Sequence, residues 1–452
     1  MPQKCWRAAQ LIAMLLHSTS LELMLAQVRI KCIRTDPDRG SAREGQRGLD
    51  PKSGRDPAGF AGGSVLEVLL IFLRLGVSSF GGPIAHLGYF RAEFVVRRRW
   101  LDERAYADLV TLCQFLPGPA SSQVGFSIGL LRAGYAGGLA AWAGFTLPSA
   151  AALVLFAYGA GLMSGRIGAG VLHGLKLVAV AIVAQAVWGM AHTLCPDRER
   201  ASIALAAALL ILFVSSPIAP VIAIVLGGIL GWRWCRFDLP PPSGEFSVSV
   251  SPRVGIAAST AFFVLLAGLP LLRSWGGPPA IALFDSFYRS GAWVFGGGHV
   301  VLPLLRESFV TPGWVADDAF LSGYGAAQAV PGPLFTFAAY LGTVVRVSPH
   351  GVVGAALGLI GIFLPGMLVL LGTLPFWNTF RRQRSAQAIM HGVNAAVVGL
   401  LAAALYNPIW TSSIRAPGDF ALALVGFVLL TAWHASPLLV VVLSALGGAW
   451  LA

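Results

Sequence analysis

The stretch FLRLGVSSFGGPIAH (residues 72–86) returns in the second half of the chain as FYRSGAWVFGGGHVV (287–301). Arg74 falls on Arg289, Gly76 on Gly291, and Phe80-Gly81-Gly82 on Phe295-Gly296-Gly297. The register continues outward. Glu93 meets Glu307, Trp100 meets Trp314, Gln114 meets Gln328, and Pro117-Gly118-Pro119 meets Pro331-Gly332-Pro333. Further on, Pro148-Ser149 matches Pro365-Gly366, and HGL at 173–175 matches HGV at 391–393. Matches at nearly constant spacing mark a duplicated domain, the sequence signal that most constrains an architecture.

Composition says what kind of domain was duplicated. Of 452 residues, 56% are hydrophobic and only 12% charged, against about a quarter charged in a soluble domain. Apolar runs such as AGGLAAWAGFTLPSAAALVLFAYGAGLM (136–163) and GIAASTAFFVLLAGLPLL (255–272) are long enough to cross a bilayer as helices. They are continuous rather than alternating, which excludes a β-barrel. The fold class is therefore an all-α polytopic membrane protein built of two homologous repeats. The formal charge of +12 reads as loop arginines that orient the spans and meet anionic lipid, with no nucleic-acid partner. The five cysteines, Cys5, Cys32, Cys113, Cys195 and Cys235, show neither metal-ligand nor disulfide spacing. No metal and no cofactor is expected.

Residues 1–60 are polar and basic, with a short apolar patch at 11–17 that lacks the features of a signal peptide. They are expected to be a disordered tail or extra sequence from an upstream start, Met24 being an alternative. The first repeat then occupies 61–235, a polar linker plus one extra membrane segment 236–275, and the second repeat 276–452. Membrane segments are expected at 64–90, 105–131, 135–162, 168–192, 200–215, 217–234, 255–272, 282–304, 319–345, 352–376, 386–408, 418–433 and 436–452. That is about 13 spans or half-spans of bilayer length. Six segments, one extra, then six more would invert the second repeat relative to the first. The loop 91–104 carries Arg91, Arg97, Arg98, Arg99 and Arg104, whereas 305–318 carries Arg306 beside Glu307, Asp317 and Asp318. The positive-inside rule puts the first loop in the cytoplasm and the second outside. RRQR (381–384) and the basic tail break a simple count, but re-entrant FGG segments would restore the tail.

Inverted repeats with interrupted helices are the pattern of secondary transporters, whose sites lie at the repeat interface. Each half has two interruptions, FGGP or FGGG and PGP. Proline at the start of a half-helix loses no hydrogen bond. The free N–H groups and the positive dipole end that follow favour an anion. Candidate substrate-binding residues are therefore Gly81, Gly82, Pro83, Pro117, Gly118, Pro119, Gly296, Gly297, Pro331, Gly332 and Pro333. Gln114 and Gln328, just before the PGP turns, join them. Ser121, Ser122 and Gln123 add neutral donors after the first PGP, where the second half has Leu334, Phe335 and Thr336. Arg74 and Arg289 either meet an anionic substrate or pair with a carboxylate such as Glu67 or Asp285, the latter four residues before Arg289. Lys176, opposite Asn394 in the repeat, is a second intramembrane cation. His86 and His299 follow the glycine breaks, and Glu93 and Glu307 end the same segments. These four either exchange protons or cap helices at the interface.

An enzyme reading finds little. GFSIG (125–129) fits GxSxG, but Ser127 sits in a helical run instead of the strand–turn–helix that the nucleophile elbow requires. No metal, Walker or dinucleotide motif is present, so transport energy must come from an ion gradient or from the substrate's own.

FGGPIAHLGYFRAEFVVRRRWLDERAYADLVTLCQFLPGPASSQVGFSIGLLRAGYAGGLAAWAGFTLPS (80–149) strongly resembles the chromate ion transporter family, and FGGGHVVLPLL (295–305) with QAVPGP (328–333) resembles its second repeat. The likeness covers roughly 64–450 and points to the long, two-domain members. It implies an inner (plasma) membrane protein that exports chromate, a tetrahedral dianion shaped like sulfate, at the expense of the proton motive force and so confers chromate resistance. By position it singles out Gly81, Gly82, Pro83, His86, Arg91, Trp100, Gln114, Pro117, Gly118, Pro119 and Gln123, with their second-half partners. Other oxyanion carriers and a passive anion channel share the same build, and a homodimer is left open. Two departures stand out: the tail 1–60, and Leu334-Phe335 after the second PGP, which argues for one asymmetric site.

Overall fold

The computed structural model describes residues 62–162, 165–214, 216, 218–235, 250–380 and 383–451. The 1–60 tail, most of the polar linker, and Arg381 and Arg382 of RRQR lie outside them. The described residues are helical throughout, without strands.

Each half opens with two broken pairs of short helices. In the first half α1 (Val65–Ser78) begins at Ser64, whose side chain accepts from the Glu67 N–H at 3.0 Å. It buries Val68, Ile71, Phe72, Leu75 and Gly76, one helical face. It stops at Ser79, and the chain turns through Gly81 and Gly82, both at positive φ, into α2 (Gly82–Phe90), which continues as a π-helical turn to Arg97. α3 (Glu103–Phe115), capped by Asp102, ends where Pro117 forces extended backbone on Leu116. After the PGP turn comes α4 (Ala120–Leu162), whose helical geometry fails at Ala133 and Gly134. It is thus a short arm, 120–132, folded back against a long arm, 135–162, with Gly129 on the Gly137 carbonyl.

The second half repeats the plan. α9 (Pro279–Ala292) breaks at 293–297 before a 3-10 turn, Gly298–Val300, and α10 (Val301–Phe309). α11 (Asp317–Ala327) ends at the second PGP, and Leu334–Thr336 leads into α12 (Phe337–Val344). α12 folds back on α13 (Gly351–Thr373) with Gly342 on the Gly354 carbonyl. Around these cores lie α5 (Arg166–Leu194), α6 (Arg198–Phe213), α7 (Ala219–Trp234) and α8 (Pro252–Ser274). After α14 (Trp377–Phe380) follow α15 (Arg384–Ala404), α16 (Thr411–Ser413), α17 (Pro417–Thr431) and α18 (Pro437–Leu451).

Five helical stretches are long and apolar enough to cross a bilayer: 120–160, 167–194, 252–274, 351–376 and 384–413. The expected segments 64–90, 105–131, 282–304 and 319–345 are each split by a break. A 14-residue helix such as α1 reaches only about 21 Å, short of a hydrocarbon core of about 30 Å. Their ends are tied by contacts. Glu67, near the start of α1, pairs with Arg98 (3.5 Å) in the loop after α2 and with Arg132 (3.4 Å) at the end of the short arm of α4. Arg98 and Arg132 both lie over the Trp100 ring. Both broken pairs of the first half therefore start and finish at one end of the bundle. In the second half Arg273, before α9, lies over Trp314, whose carbonyl accepts from the Arg346 N–H after α12. The long arm 135–162 and its repeat equivalent α13 run antiparallel, Trp142 against Phe363 and Tyr158 against Gly351.

Candidate functional site

The four breaks meet, and they meet reciprocally. The Gly118 N–H donates to the Val294 carbonyl at 2.7 Å, and the Gly332 N–H donates to the Ser79 carbonyl at 2.9 Å. Gly118 pairs with Gly332 in the repeat, and Ser79 with Val294, so each PGP turn is held by the FGG break of the other half. The same exchange governs packing. A Cβ on Gly118 would stand 2.9 Å from the Gly366 Cα, and one on Gly332 2.8 Å from Ser149 Oγ, Ser149 and Gly366 being equivalent. Both glycines also have φ above +100°, where a side chain is strained. Pro83 lies against Gly298, its own repeat equivalent. Equivalent residues of the two halves thus touch one another at the junction.

The first-half side of the junction is the polar one. Ser121, Ser122 and Gln123 open the short arm of α4 and are all buried. His86, on α2, is fully buried, with Nδ1 3.4 Å from Ser121 Oγ. Gln123 closes the PGP turn: its amide N–H groups donate to the Pro117 carbonyl (2.9 Å) and, across the repeat boundary, to the Gly366 carbonyl (2.8 Å). Its donors are committed to the fold. Ser79 Oγ, His86 Nε2, Ser122 Oγ, Gln123 Oε1 and Thr146 Oγ1 are buried without a hydrogen-bond partner among the described residues. Buried polar atoms are normally paired, so this group beside a helix N-terminus is the candidate position for a polar ligand. Ser79, Thr146 and Ser149 were not among the sequence candidates. Their only signal was adjacency to FGG and to the PS/PG match.

On the second-half side Gly296, Gly297, Pro331, Gly332 and Pro333 form the matching wall. His299 shares a 2.7 Å hydrogen bond with the Tyr324 hydroxyl, and Gln328 is half-buried before the turn. Leu334, Phe335 and Thr336 are buried, and Thr336 Oγ1 donates to the Pro333 carbonyl. The chemical asymmetry legible in PGPASSQ against PGPLFTF is thus built into the junction.

Other candidates lie elsewhere. Arg74 is on the exposed face of α1, in a groove with Leu70, Ser78, Tyr89, Glu93 and Arg97, none of them from a break. The expected alternative partner, Glu67, is taken by Arg98 and Arg132. Arg289 makes the expected i,i+4 pair with Asp285 (2.8 Å); Arg273 adds a second cation at 3.5 Å, and the carboxylate is fully buried. Gln114 is exposed. Glu93 is gripped by Arg98 and Arg97, and Glu307 accepts from Thr311 Oγ1 at 3.1 Å. Burial opposes the Glu93 charge, but the arginine hydrogen bonds outweigh it and hold the carboxyl below its usual range. Lys176 pairs with Asp318 at 2.8 Å, whereas its counterpart Asn394 lies at Gly296. Ser127 is a buried residue inside the short arm of α4.

The chromate transporter family profile matches residues 66–232 and again 281–449. A chromate transport protein of Pseudomonas aeruginosa is 28% identical over 84% of this chain and 90% of its own. One from Cupriavidus metallidurans is 26% identical over 75% and 81%, and a probable chromate transport protein of Synechococcus elongatus 26% identical over 76% and 84%. No solved structure matches. These relatives are transporters and not enzymes, so GFSIG is a chance match. With two matched halves and several bilayer-length helices, the chain is a multi-pass membrane protein that belongs to the chromate transporter family.

Proposed function

We propose that the protein exports chromate or a like tetrahedral oxyanion across the inner membrane by alternating access of two inverted repeats, driven by the proton gradient. The observation that carries the reading is the set of buried, unpartnered polar atoms, Ser79 Oγ, Ser122 Oγ and His86 Nε2, at the N-terminus of the short arm of α4. Hydroxyl and imidazole donors, with free N–H groups at a positive dipole end, suit a dianion. The junction is closed by Gly118 on Gly366 and by Pro83 on Gly298, so a substrate reaches it only when the halves part.

Inversion is supported by the antiparallel course of the equivalent helices 135–162 and α13, because an axis along the helices would leave them parallel. Re-entrant pairs in the first half place 64, 98–104 and 132–135 on one side, and the arginines of 91–104 make that side cytoplasmic. The end of α13 then falls on that side too. For proton exchange His86 and His299 remain the candidates at the junction, whereas Glu307 lies at the far end of α10 beside Thr311 and Glu93 stays charged in its arginine clasp.

The test is labelled chromate flux in proteoliposomes under an imposed proton gradient, with and without sulfate. Ser122→Ala with His86→Leu removes two donors. At about 1.5 kcal/mol or more for each bond to a charged group, the pair should lose about a hundredfold in chromate kcat/KM. Wild-type flux in the pair would remove the junction as the binding site. Flux that survives collapse of the proton gradient and runs only downhill would leave a channel.

A further inference from the structure

A second charged cavity lies away from the breaks, where the long arm of α4 ends and α5 begins. It encloses about 860 Å3 and is lined by His173 and Lys176 of α5, Asp318 and Ser322 of α11, Arg415 and Asp419. Lys176 is only 7% exposed and sits in an apolar helix, where an uncompensated cation is costly. The two carboxylates facing it are held very differently. Asp419 is fixed by backbone N–H groups of Arg415 (2.9 Å) and Ala416 (3.0 Å) and by His173 at 2.8 Å. Asp318 is 67% exposed. Its side chain has one hydrogen bond among the described residues, from Lys176 at 2.8 Å, with the Arg415 guanidinium 3.9 Å from the same oxygen. A rim carboxylate of this kind gains little from its ion pair and leaves it at small cost. The two cations of the cavity are matched by its two carboxylates, but Asp419 is spent on His173 and backbone N–H groups, so Asp318 alone covers both Lys176 and Arg415. A dianion in place of the Asp318 carboxylate would face the same two cations with the second charge that one carboxylate does not supply.

We propose that this cavity is a second binding site for a tetrahedral divalent oxyanion, with Asp318 as the built-in competitor that covers Lys176 and Arg415 until the anion displaces it. The inference rests on the transport reading for its choice of ligand, but not on the junction as a site. On the topology proposed above, the cavity opens on the side opposite the arginine-rich loop, where an exported anion leaves. Asp318 would then limit how long the anion stays and hinder its return.

Sulfate is the probe, titrated calorimetrically into the full-length protein in phospholipid-free detergent. Asp318→Asn keeps the shape and removes the competitor, and sulfate should bind at least tenfold tighter than to wild type. The gain should vanish in Lys176→Gln/Asp318→Asn, which removes both charges and leaves no unpaired ion to unfold the protein. It should persist in Ser122→Ala/His86→Leu/Asp318→Asn, so failure of the junction reading and failure of this one are seen separately. Unchanged or weaker binding in Asp318→Asn overturns the proposal, as does a gain that survives loss of Lys176. A phospholipid phosphate has the same chemistry, so the titration is repeated in nanodiscs containing phosphatidylglycerol. If Asp318→Asn tightens lipid association but not sulfate binding, the cavity is a headgroup site and the proposal falls.

Discussion

Arg74 and Arg289 occupy one register position, yet their surroundings differ. An arginine in an apolar run is expected to be buried and costly, but burial depends on the helix face, and α1 turns Phe72 and Leu75 inward while Arg74 points out. Arg74→Gln should therefore leave expression and melting temperature unchanged and chromate flux within about twofold of wild type. Arg289 belongs to a buried carboxylate, so Arg289→Gln leaves Asp285 with Arg273 alone and should lower the melting temperature measurably. A flux loss in Arg74→Gln without loss of folding would return Arg74 to the substrate path. Glu93 shows the complementary case. Its folded-state carboxyl lies below the usual range, so it contributes stability that is full above about pH 4.3 and is lost as pH falls through the lower folded value. Glu93→Gln should cost about 1–2 kcal/mol near neutrality, a buried-pair loss reduced by the exposure of Arg97. Thermal unfolding of both proteins from pH 7 to pH 3 should show the gap closing only at the acid end, with the pH profile of transport unmoved.

At the level of elements, the breaks were legible because proline and glycine act on the backbone locally: Pro117 sets Leu116 extended, and Gly118 supplies positive φ. What the breaks touch was not legible. The bond from Gly118 to Val294 and that from Gln123 to Gly366 join residues far apart in the chain, and no local rule ties them. The repeat alignment nevertheless paired the positions, and the structure turns the pairs into reciprocal contacts. This reciprocity is testable. Gly118→Ala drives a methyl onto the Gly366 backbone and Gly332→Ala drives one onto the Ser149 side chain, so both should reduce the yield of folded protein. Adding Ser149→Gly removes the nearest obstacle to the second methyl but not to the first. It should restore Gly332→Ala to within about 1–2 kcal/mol, the residual cost of alanine at positive φ, and do nothing for Gly118→Ala. Size-exclusion yield of the four proteins reads the outcome. Equal rescue, or none, would mean the two turns do not sit on equivalent partners.

At the scale of the whole molecule, the charge pattern and a simple count of segments disagreed because the count assumed that every apolar segment crosses. Four of them are pairs of half-length helices, and those of the first half return to the end from which they started. On the proposed topology only the long helices cross, three times before the second half at 135–162, 167–194 and 252–274, so the second half would face the other way. The arginine-rich loop 98–104 and its counterpart 312–318 should therefore lie on opposite sides of the membrane. In a cysteine-free background, Arg104→Cys and Pro312→Cys place single thiols at exposed positions in or beside these loops. An impermeant maleimide added to right-side-out vesicles should label position 312 and spare 104, and in inverted vesicles the reverse should hold. If both react from one side, the repeats are parallel and related by an axis along the membrane normal. Parallel halves can still part on either side by rocking about their interface, so alternating access would survive that result, but the inverted-repeat account of how this chain moves an anion would not.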